Sequence, residues 1–409
     1  MHDTIFLKGR LDEYAEPSRF GIYIHVPFCV RRCRYCAFFS TVRRHIPAHD
    51  YVTALLHEAG LCRAIFQGMR PRSVYLGGGT PSCLPDDEIR RLMVGLEECF
   101  GQADEYTMEC NPEHVSRARA RQWKALGMTR VSMGVQSFHP EMLCFLGRAH
   151  SPDDARHAMD SLRQAGFDEI SLDLIFGGMP DGTDPRQIWS EDLRTAHSLS
   201  PEHVSCYALT LEPNTPLANL HKRGHTVCVD EDTSADLMDM IEPALGMRRY
   251  EISNYAVEGV FSAHNVACWA GEPYIGLGPG AHSMFRSKNK IVRREVQENI
   301  AAYLELAGVQ RVMPTMAFEE HLSLETHLAE RLMCAARTRF PWAPDRIAEQ
   351  VGADITPYKK ALNKAVSRGL IEVSTQNNMN VFRTTNLGIK LNNCLDEIIF
   401  EAAPVTPTA

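Results

Sequence analysis

The sequence has no long apolar run and no excess of positive charge. In 409 residues, no hydrophobic stretch approaches the roughly 18 residues that a membrane-spanning helix needs. A formal net charge of −8 at pH 7 argues against nonspecific binding to nucleic acid or to an anionic membrane. Met1–Thr4 lack the basic region and the apolar stretch that open a signal peptide. We therefore expect a cytoplasmic protein that does not bind nucleic acid.

The sequence also lacks the cysteine pattern of a secreted protein. The cysteines number thirteen, which is odd, and a reducing compartment disfavours a disulfide framework. Ten of them are scattered singly, and most of these fit the description of small buried hydrophobic side chains. The other three, Cys29, Cys33 and Cys36, are clustered.

Short β-rich segments alternate with segments long enough for helices, and this pattern predicts an α/β fold. The helix predicted after Ser151 has an N-cap, a proline and two acids in its first turn, and Asp184 opens another such helix. Alternating elements indicate a parallel sheet with right-handed crossovers, and six units favour a partial (β/α)6 barrel over an eight-fold one. The predicted strands are Ile22–Pro27, Ser73–Gly77, Tyr106–Cys110, Arg130–Gln136, Glu169–Phe176 and His203–Thr210.

The pattern changes after Thr210, and we predict three domains. They are a barrel with its cysteine loop over 1–215, a barrel extension over 216–295 and a smaller, mainly helical C-terminal domain over 296–409. Within the extension, Tyr250–Ser287 is rich in Gly, aromatics and His, and we expect it to be irregular. Within the C-terminal domain, Ile371–Phe382 predicts a two-stranded β wing.

Polar residues share one face of three predicted strands. Because side chains alternate across a strand, each polar set points one way and the apolar set meets the helices. We therefore expect a polar barrel interior suited to a polar ligand, although any single polar residue at a strand end could simply be solvated. The three sets are Thr107, Glu109 and Asn111; Ser132, Gly134 and Gln136; and Glu169, Ser171 and Asp173.

The clustered cysteines follow the first strand with the spacing C-x3-C-x2-C. Structural zinc and ferredoxin-type clusters normally take four ligands, and a redox pair of Cys33 and Cys36 would leave Cys29 unused. Three thiolates suit a [4Fe–4S] cluster with one open iron, and the three flanking arginines, Arg31, Arg32 and Arg34, would favour thiolates. Zinc binding and redox cysteines stay open as alternatives.

With this motif the chain resembles the radical S-adenosylmethionine (SAM) superfamily. The resemblance implies a partial barrel, in agreement with the strand count, and a cluster whose open iron is chelated by SAM. In that family an electron from the cluster cleaves SAM to a 5′-deoxyadenosyl radical.

The resemblance also implies roles for individual residues. Gly78, Gly79 and Thr80, in a glycine-rich stretch after the second strand, would bind the methionyl amino group of SAM. Tyr23 would lie beside the cluster and Tyr35 beside the adenine. Glu109 and Gln136 would bond the ribose hydroxyls, Arg148 would pair with the SAM carboxylate, and Asp173 would complete the pocket.

Further motifs resemble one group within the superfamily. Four motifs together resemble the oxygen-independent coproporphyrinogen III oxidase group: Ile24–Cys29, Gly77–Ser82, Gly134–Phe138 and Leu172–Gly177. Tyr250–Ala256 and Gly276–Ser283 resemble its HemW haem chaperone branch. The decarboxylating oxidases have an extra cysteine two residues after the third, where this chain has Phe38.

The haem chaperone branch also has an H-N-x-x-Y-W motif with a suspected haem contact. This chain reads His264-Asn265-Val266-Ala267-Cys268-Trp269, so a cysteine stands where tyrosine is expected. Both imidazole and thiolate ligate haem iron in proteins, so His264 and Cys268, with Trp269 beside them, are candidate haem contacts. The alternative is that His264 is a hydrogen-bonded structural residue.

The resemblance implies a protein that binds a [4Fe–4S] cluster, SAM and haem and passes haem to an acceptor protein. It also implies a flavodoxin or ferredoxin-type electron donor, contact with a membrane surface and a cluster-dependent homodimer. The rival is an enzyme that decarboxylates coproporphyrinogen III by radical SAM chemistry. A third interpretation, radical methyl transfer with haem ring opening, ranks last because of the Tyr250–Ala256 and Gly276–Ser283 motifs.

Overall fold

The computed structural model describes residues 9–42, 45–308 and 312–403. Met1–Thr4, on which the absence of a signal peptide rests, lie outside the described residues. The strands are β1 (Arg19–Val26), β2 (Phe28–Cys29), β3 (Thr41–Val42), β4 (Arg70–Gly78), β5 (Glu105–Cys110), β6 (Arg130–Gln136), β7 (Glu169–Phe176), β8 (His203–Ala208), β9 (Arg248–Arg249), β10 (Asn254–Ala256), β11 (Tyr274–Leu277), β12 (His282–Ser287), β13 (Lys290–Val296), β14 (Met316–Leu322), β15 (Ile371–Gln376) and β16 (Met379–Thr384).

The α-helices cover the outside of the sheet and form most of the C-terminal region. They are α1 (Leu11–Tyr14), α2 (Ala48–Cys62), α3 (Asp86–Phe100), α4 (Arg117–Ala125), α5 (Pro140–Leu146), α6 (Pro152–Gln164), α7 (Pro185–Ser198), α8 (Pro216–Lys222), α9 (Glu231–Asp239), α10 (Ile241–Leu245), α11 (Ala263–Ala270), α12 (Ile300–Glu305), α13 (Leu324–Ala336), α14 (Pro344–Val351), α15 (Lys359–Ser367), α16 (Asn386–Lys390) and α17 (Asn392–Phe400). None of the helices in the described ranges combines the length and apolarity needed to cross a bilayer.

The six predicted strands are all present and lie side by side in chain order. β1, β4, β5, β6, β7 and β8 are parallel neighbours, with helices in the connections. The twelve-stranded sheet of the described residues has two free ends, at β14 and at β9, so the barrel is open as predicted.

The prediction that Tyr250–Ser287 is irregular is wrong. β11 pairs in parallel with β1 and adds a seventh parallel strand. β12 then pairs antiparallel with β11, and β13 pairs antiparallel with β12. β10 extends the opposite end beside β8. The glycines, aromatics and histidines in this segment conceal the strands because each strand is short and breaks the usual alternation.

Polar and apolar side chains separate across the parallel strands as their alternation predicts. Register partners carry polar residues in layers: Thr107 faces Arg130, Glu109 faces Ser132, and Asp173 faces Ser205. The intervening apolar residues, such as Met108, Val131 and Leu172, are fully buried in one cluster with helix residues, including Leu55, Trp123, Leu162 and Trp189. The hydrophobic core therefore lies between sheet and helices, and the barrel interior is polar.

Side-chain N-caps begin α6 and α7 at the residues that the sequence predicts. Ser151 accepts a hydrogen bond from the backbone N–H of Asp154 at 3.2 Å and begins α6. Asp184 accepts one from the backbone N–H of Arg186 at 2.9 Å and begins α7. Both caps satisfy N–H groups that the first helical turn leaves unpaired.

A second hydrophobic cluster forms the core of the C-terminal region and also includes a residue of α1. It contains Leu328, Phe340 and Trp342 together with Leu11 of α1. The Asp12 carboxylate accepts a hydrogen bond from the backbone N–H of Ala343 at 3.0 Å. The predicted wing is present as the β15–β16 hairpin. The division into domains at 215 and 295 stays a prediction; the main sheet itself continues through 295 into β13 and β14.

Candidate functional site

The cysteine loop is fastened to the barrel at both ends. His25, buried at the end of β1, bonds through Nε2 to the carbonyl oxygen of Phe39 at 2.8 Å and through Nδ1 to the Tyr23 hydroxyl at 3.1 Å. Thr41 donates its backbone N–H to the Pro27 carbonyl at 2.7 Å, and Arg34 donates to that of Leu146 at 2.9 Å. The loop is therefore positioned by the strand end below it, and His25 orients it.

The three cysteines of this loop are free thiols and half-buried. The Thr80 hydroxyl donates to Sγ of Cys29 at 3.6 Å, and Arg148 donates to Sγ of Cys33 at 3.2 Å. Burial raises the pKa of the Cys29 and Cys36 thiols. Across the described ranges, no three His, Cys, Asp or Glu side chains gather closely enough to hold a single metal ion. An iron–sulfur cluster does not require this, because its cysteines bind separate irons.

The loop closes one side of a cavity of about 630 Å³ at the carboxyl ends of the parallel strands. This size falls within the range of about 300–1,000 Å³ that is typical of ligand sites. Its lining brings together most of the residues that the sequence singles out: Cys29, Cys33, Cys36, Tyr35, Gly78, Gly79, Thr80, Glu109, Gln136, Arg148 and Asp173. Tyr23 is not in the lining; two hydrogen bonds connect it to the loop, from Tyr23 to His25 and from His25 to Phe39.

The glycine-rich end of β4 is shaped by its contacts with β1. A Cβ atom at Gly79 would lie 2.8 Å from the Val26 carbonyl oxygen and 2.9 Å from that of Phe28. At Gly78, where φ is +104°, it would lie 2.7 Å from the His25 ring. Only residues without a side chain allow β4 and the cysteine loop to approach this closely. The glycines thus shape the cavity wall as well as exposing backbone groups to it.

Two carboxylates face the cavity from neighbouring parts of the sheet. Burial and the nearby charge of Asp173 raise the pKa of Glu109 to about 7, although the Tyr75 hydroxyl donates to Glu109 at 2.9 Å. Burial also raises the pKa of Asp173, which accepts a hydrogen bond from Ser132 at 3.0 Å. A ligand that supplies hydroxyl or ammonium donors would stabilise both carboxylates in their charged form.

Gln136 lies at an irregularity at the end of β6. The pairing of β6 with β7 shifts register between Gly134 and Gln136. Gln136 has φ of +67°, a left-handed conformation that is costly for a residue with a side chain. The bulge keeps Gln136 in the cavity lining together with Gly134.

Arg148 is the buried cation of the cavity. Its guanidinium donates to Oδ1 of Asn111 at 2.7 Å, to the Gly134 carbonyl at 2.6 Å and to Cys33. Burial alone would lower the pKa of Arg148, but Tyr35, Cys33 and Glu113 raise it overall. Its Nε is buried without a hydrogen-bond partner among the described residues. Such an N–H is costly unless a ligand accepts from it, and a carboxylate oxygen is its best acceptor.

The opposed charges of this cavity can hold a zwitterion beside a cluster. Arg148 offers N–H donors beside Cys33, and Glu109 and Asp173 offer acceptors. The free thiols can ligate iron once deprotonated. The residues present therefore fit a three-cysteine [4Fe–4S] cluster and a ligand with one carboxylate, one ammonium and several hydroxyl groups.

The residues predicted to contact haem lie elsewhere. His264 is buried against β1 and β4, where its Nδ1 pairs with the Ser73 hydroxyl at 2.8 Å. Burial lowers the pKa of His264 to about 4. Burial also raises the pKa of Cys268 to about 12, and Trp269 packs against the C-terminal cluster. None of the three lines the 630 Å³ cavity, and their haem contact stays a prediction.

Several residues that line the cavity are not among the predicted ligands. Asn111 and Ser132 share the polar strand faces, so the alternation already contains their signal. Tyr207 and Glu212 come from the end of β8 and the loop after it, where the sequence offers no motif.

The open parallel barrel, the cysteine loop and the polar cavity together define a class of protein, the radical SAM barrel proteins. Residues 23–184 match the Radical SAM superfamily. Coproporphyrinogen III oxidase (HemN) from Escherichia coli has a similar fold, with a TM-score of 0.77 over 95% of this chain and 92% of that chain at 21% identity. Membership in the superfamily implies a [4Fe–4S] cluster and SAM.

Sequence comparison identifies a family within this superfamily. The chain is 30% identical over 361 residues to the heme chaperone HemW of Bacillus subtilis, covering 86% of this chain and 92% of that protein. It is 38% identical over 268 residues to HemW of Escherichia coli, covering 64% of this chain and 69% of that protein. The chain therefore belongs to the HemW heme chaperone family of the radical SAM superfamily.

Proposed function

We propose that this protein is a haem chaperone that carries a [4Fe–4S] cluster and SAM at the mouth of its barrel and passes haem to an acceptor protein. Cys29, Cys33 and Cys36 would ligate the cluster. Arg148 would donate hydrogen bonds to the SAM carboxylate, and Glu109 and Gln136 would bond the ribose hydroxyls. The methionyl ammonium would bind at Gly78, Gly79 and Thr80, and Asp173 would complete the pocket. When bound, the cluster would supply an electron, and SAM would supply the bond that this electron can break.

The observation that carries the proposal over its enzyme rival is Phe38. It lines the cavity and is 69% exposed at the position where the oxidase group has an extra cysteine. A phenyl ring can neither ligate iron nor relay a proton or an electron as a thiol does. The cavity wall therefore lacks a reactive group that the oxidase pattern supplies at this position.

The proposed role has further parts that follow from the family. The partners are haem, a haem-accepting protein and a flavodoxin or ferredoxin-type electron donor. The protein would act in the cytoplasm, in contact with a membrane surface, and the cluster would control whether it forms a homodimer. His264, Cys268 and Trp269 are the proposed haem contacts.

An anaerobic turnover assay tests the proposal. The protein with a reconstituted cluster receives reductant, SAM and coproporphyrinogen III, and mass spectrometry follows the products. We expect no decarboxylated porphyrinogen, and saturable haem binding in a parallel titration by absorbance. Loss of CO₂ with formation of 5′-deoxyadenosine would refute the chaperone role as the main function, and absence of haem binding would refute it as well.

A further inference from the structure

A second cavity, remote from the cysteine loop, lies between the barrel and the C-terminal helices. Its volume is about 260 Å³. Its wall is mainly apolar and is assembled from separate parts of the chain, among them Phe66 and Met69, Met284 and Phe285, Ile291, and Val351. A cavity of this kind retains the apolar part of a ligand by the hydrophobic effect.

Two polar side chains of α13 reach this cavity without full hydrogen bonding. His327 and Arg331 are one helical turn apart and are only 5% and 7% exposed. Nδ1 of His327 and Nε of Arg331 are buried with no partner among the described residues. With the described residues, the guanidinium makes one hydrogen bond, from Nη2 to Oε1 of Gln350 at 3.2 Å. Unpaired buried donors are rare in folded proteins and destabilise them unless a ligand completes them.

The charges around the cavity favour an anion. Burial, together with the charges of Arg331, Arg286 and Arg293, lowers the pKa of His327 to about 3, so its ring is neutral at pH 7 and can donate one N–H. Burial lowers the pKa of Arg331 to about 10, so the guanidinium stays charged. The acids in the wall are already paired with Arg72. Glu272 accepts from the Arg72 guanidinium at 2.6 and 2.8 Å, and Glu16 accepts from it at 2.9 Å.

Gly271, which begins the loop to β11, makes room for Arg331. A Cβ atom at Gly271 would overlap Cδ and Nε of Arg331. The guanidinium can therefore lie against the cavity only because this position has no side chain. The helix turn on α13 and the glycine opposite it together form a built site.

We propose that this cavity binds a carboxylate attached to an apolar body, with the carboxylate on Arg331 and His327 and the apolar part against Phe66, Met69 and Phe285. The volume is just below the usual lower limit of about 300 Å³ for ligand sites. It therefore takes a short acyl chain or a carboxylated edge rather than a whole macrocycle. Two sources share this chemistry: a free fatty acid and a propionate edge of haem. The haem source rests on the proposed function; the carboxylate site does not.

Isothermal titration of the full-length protein with decanoate tests the site. We expect saturable binding that weakens about tenfold or more in Arg331→Gln, because a charge-assisted hydrogen bond is lost. Ile65→Trp, at a lining residue that is 37% exposed, should weaken it similarly by filling the cavity without disturbing the core. Arg346→Gln is the control, because Arg346 is exposed and pairs only with Glu349 among the described residues.

Competition with haem separates the two sources. Haem displacement by decanoate, with weaker haem binding in Arg331→Gln, assigns the site to a haem propionate. Decanoate binding without competition assigns it to a fatty acid, and stands even if the protein binds no haem. Absence of saturable decanoate binding, or equal binding in Arg331→Gln, overturns the site and leaves the proposed function intact if haem still binds.

Discussion

The two ends of the barrel interior carry similar polar side chains and use them differently. At the base, Ser73 pairs with His264, and His203 bonds both Ser171 and Tyr250, each at 2.8 Å. At the mouth, Arg148 keeps a buried N–H without a partner, and Glu109 and Asp173 face an open cavity. These polar residues of the base complete one another's hydrogen bonds, whereas those of the mouth face open space, which marks the mouth as the binding end.

Arg130 links the two ends. It lies inside the barrel, 2% exposed, beside Thr107 in the register and one layer below Ser132. Two of its nitrogens, Nε and Nη1, have no hydrogen-bond partner among the described residues. Its positive charge partly opposes the rise in the pKa of Asp173. Arg130 at the base therefore favours the charged form of Asp173 above it, through its positive charge rather than through a hydrogen bond.

The largest effect should follow from removing a cysteine at the mouth. Cys33→Ala should reduce bound iron and the visible absorbance of the cluster to background, because the thiolate is a proposed ligand and accepts from Arg148. Cys144→Ala is the control, since Cys144 is an exposed single cysteine. Iron analysis after anaerobic reconstitution measures both. Full iron content in Cys33→Ala would place the cluster, and with it the binding end, elsewhere.

Arg148→Lys should weaken SAM binding about tenfold or more, because lysine keeps the charge but cannot serve several acceptors in one plane. The arginine now holds Asn111, the Gly134 carbonyl and Cys33 at once. Equilibrium dialysis with the reconstituted protein measures the Kd. Arg156→Lys, at an exposed residue of α6 that pairs with Asp153, is the control. An unchanged Kd would mean that the incomplete N–H at the mouth has no ligand role.

Gly79→Ala should destabilise the fold by about 1–3 kcal/mol, the usual cost of overpacking. Its Cβ would press on the carbonyl oxygens of Val26 and Phe28, where β1 leads into the cysteine loop. Gly60→Ala is the matched control, because Gly60 lies within α2 with nothing within 4 Å of the added atom. That change should stabilise the helix by about 0.5–1 kcal/mol. Urea unfolding measures both, and equal effects would contradict the close contact.

The sequence predicts much of this comparison and misses the parts that depend on distant pairing. Alternation along β5, β6 and β7 is enough to predict that Glu109, Gln136 and Asp173 face one shared cavity, and all three line it. β11 escapes prediction because Tyr274–Leu277 has only four residues, and its place beside β1 is set by contacts some 250 residues apart. The cavity at His327 and Arg331 escapes for the same reason, since its wall comes from segments that lie far apart in the chain.

The smallest effect on SAM binding should come from the base, where a substitution should change stability rather than SAM affinity. The folded pKa of His264, about 4, lies below its usual 6.5, so the unfolded chain takes up a proton first as the pH falls. The stability that His264 contributes is therefore complete above pH 6.5 and is lost towards pH 4, by at most about 1.4 kcal/mol per pH unit. In His264→Asn this dependence should be absent, so its urea midpoint should differ from that of the unmodified protein less at pH 5 than at pH 7.5. SAM affinity should stay unchanged, because the base is closed. Weaker SAM binding in this variant would show that the base, too, takes part in binding SAM, and unchanged haem binding would contradict the proposed haem contact of His264.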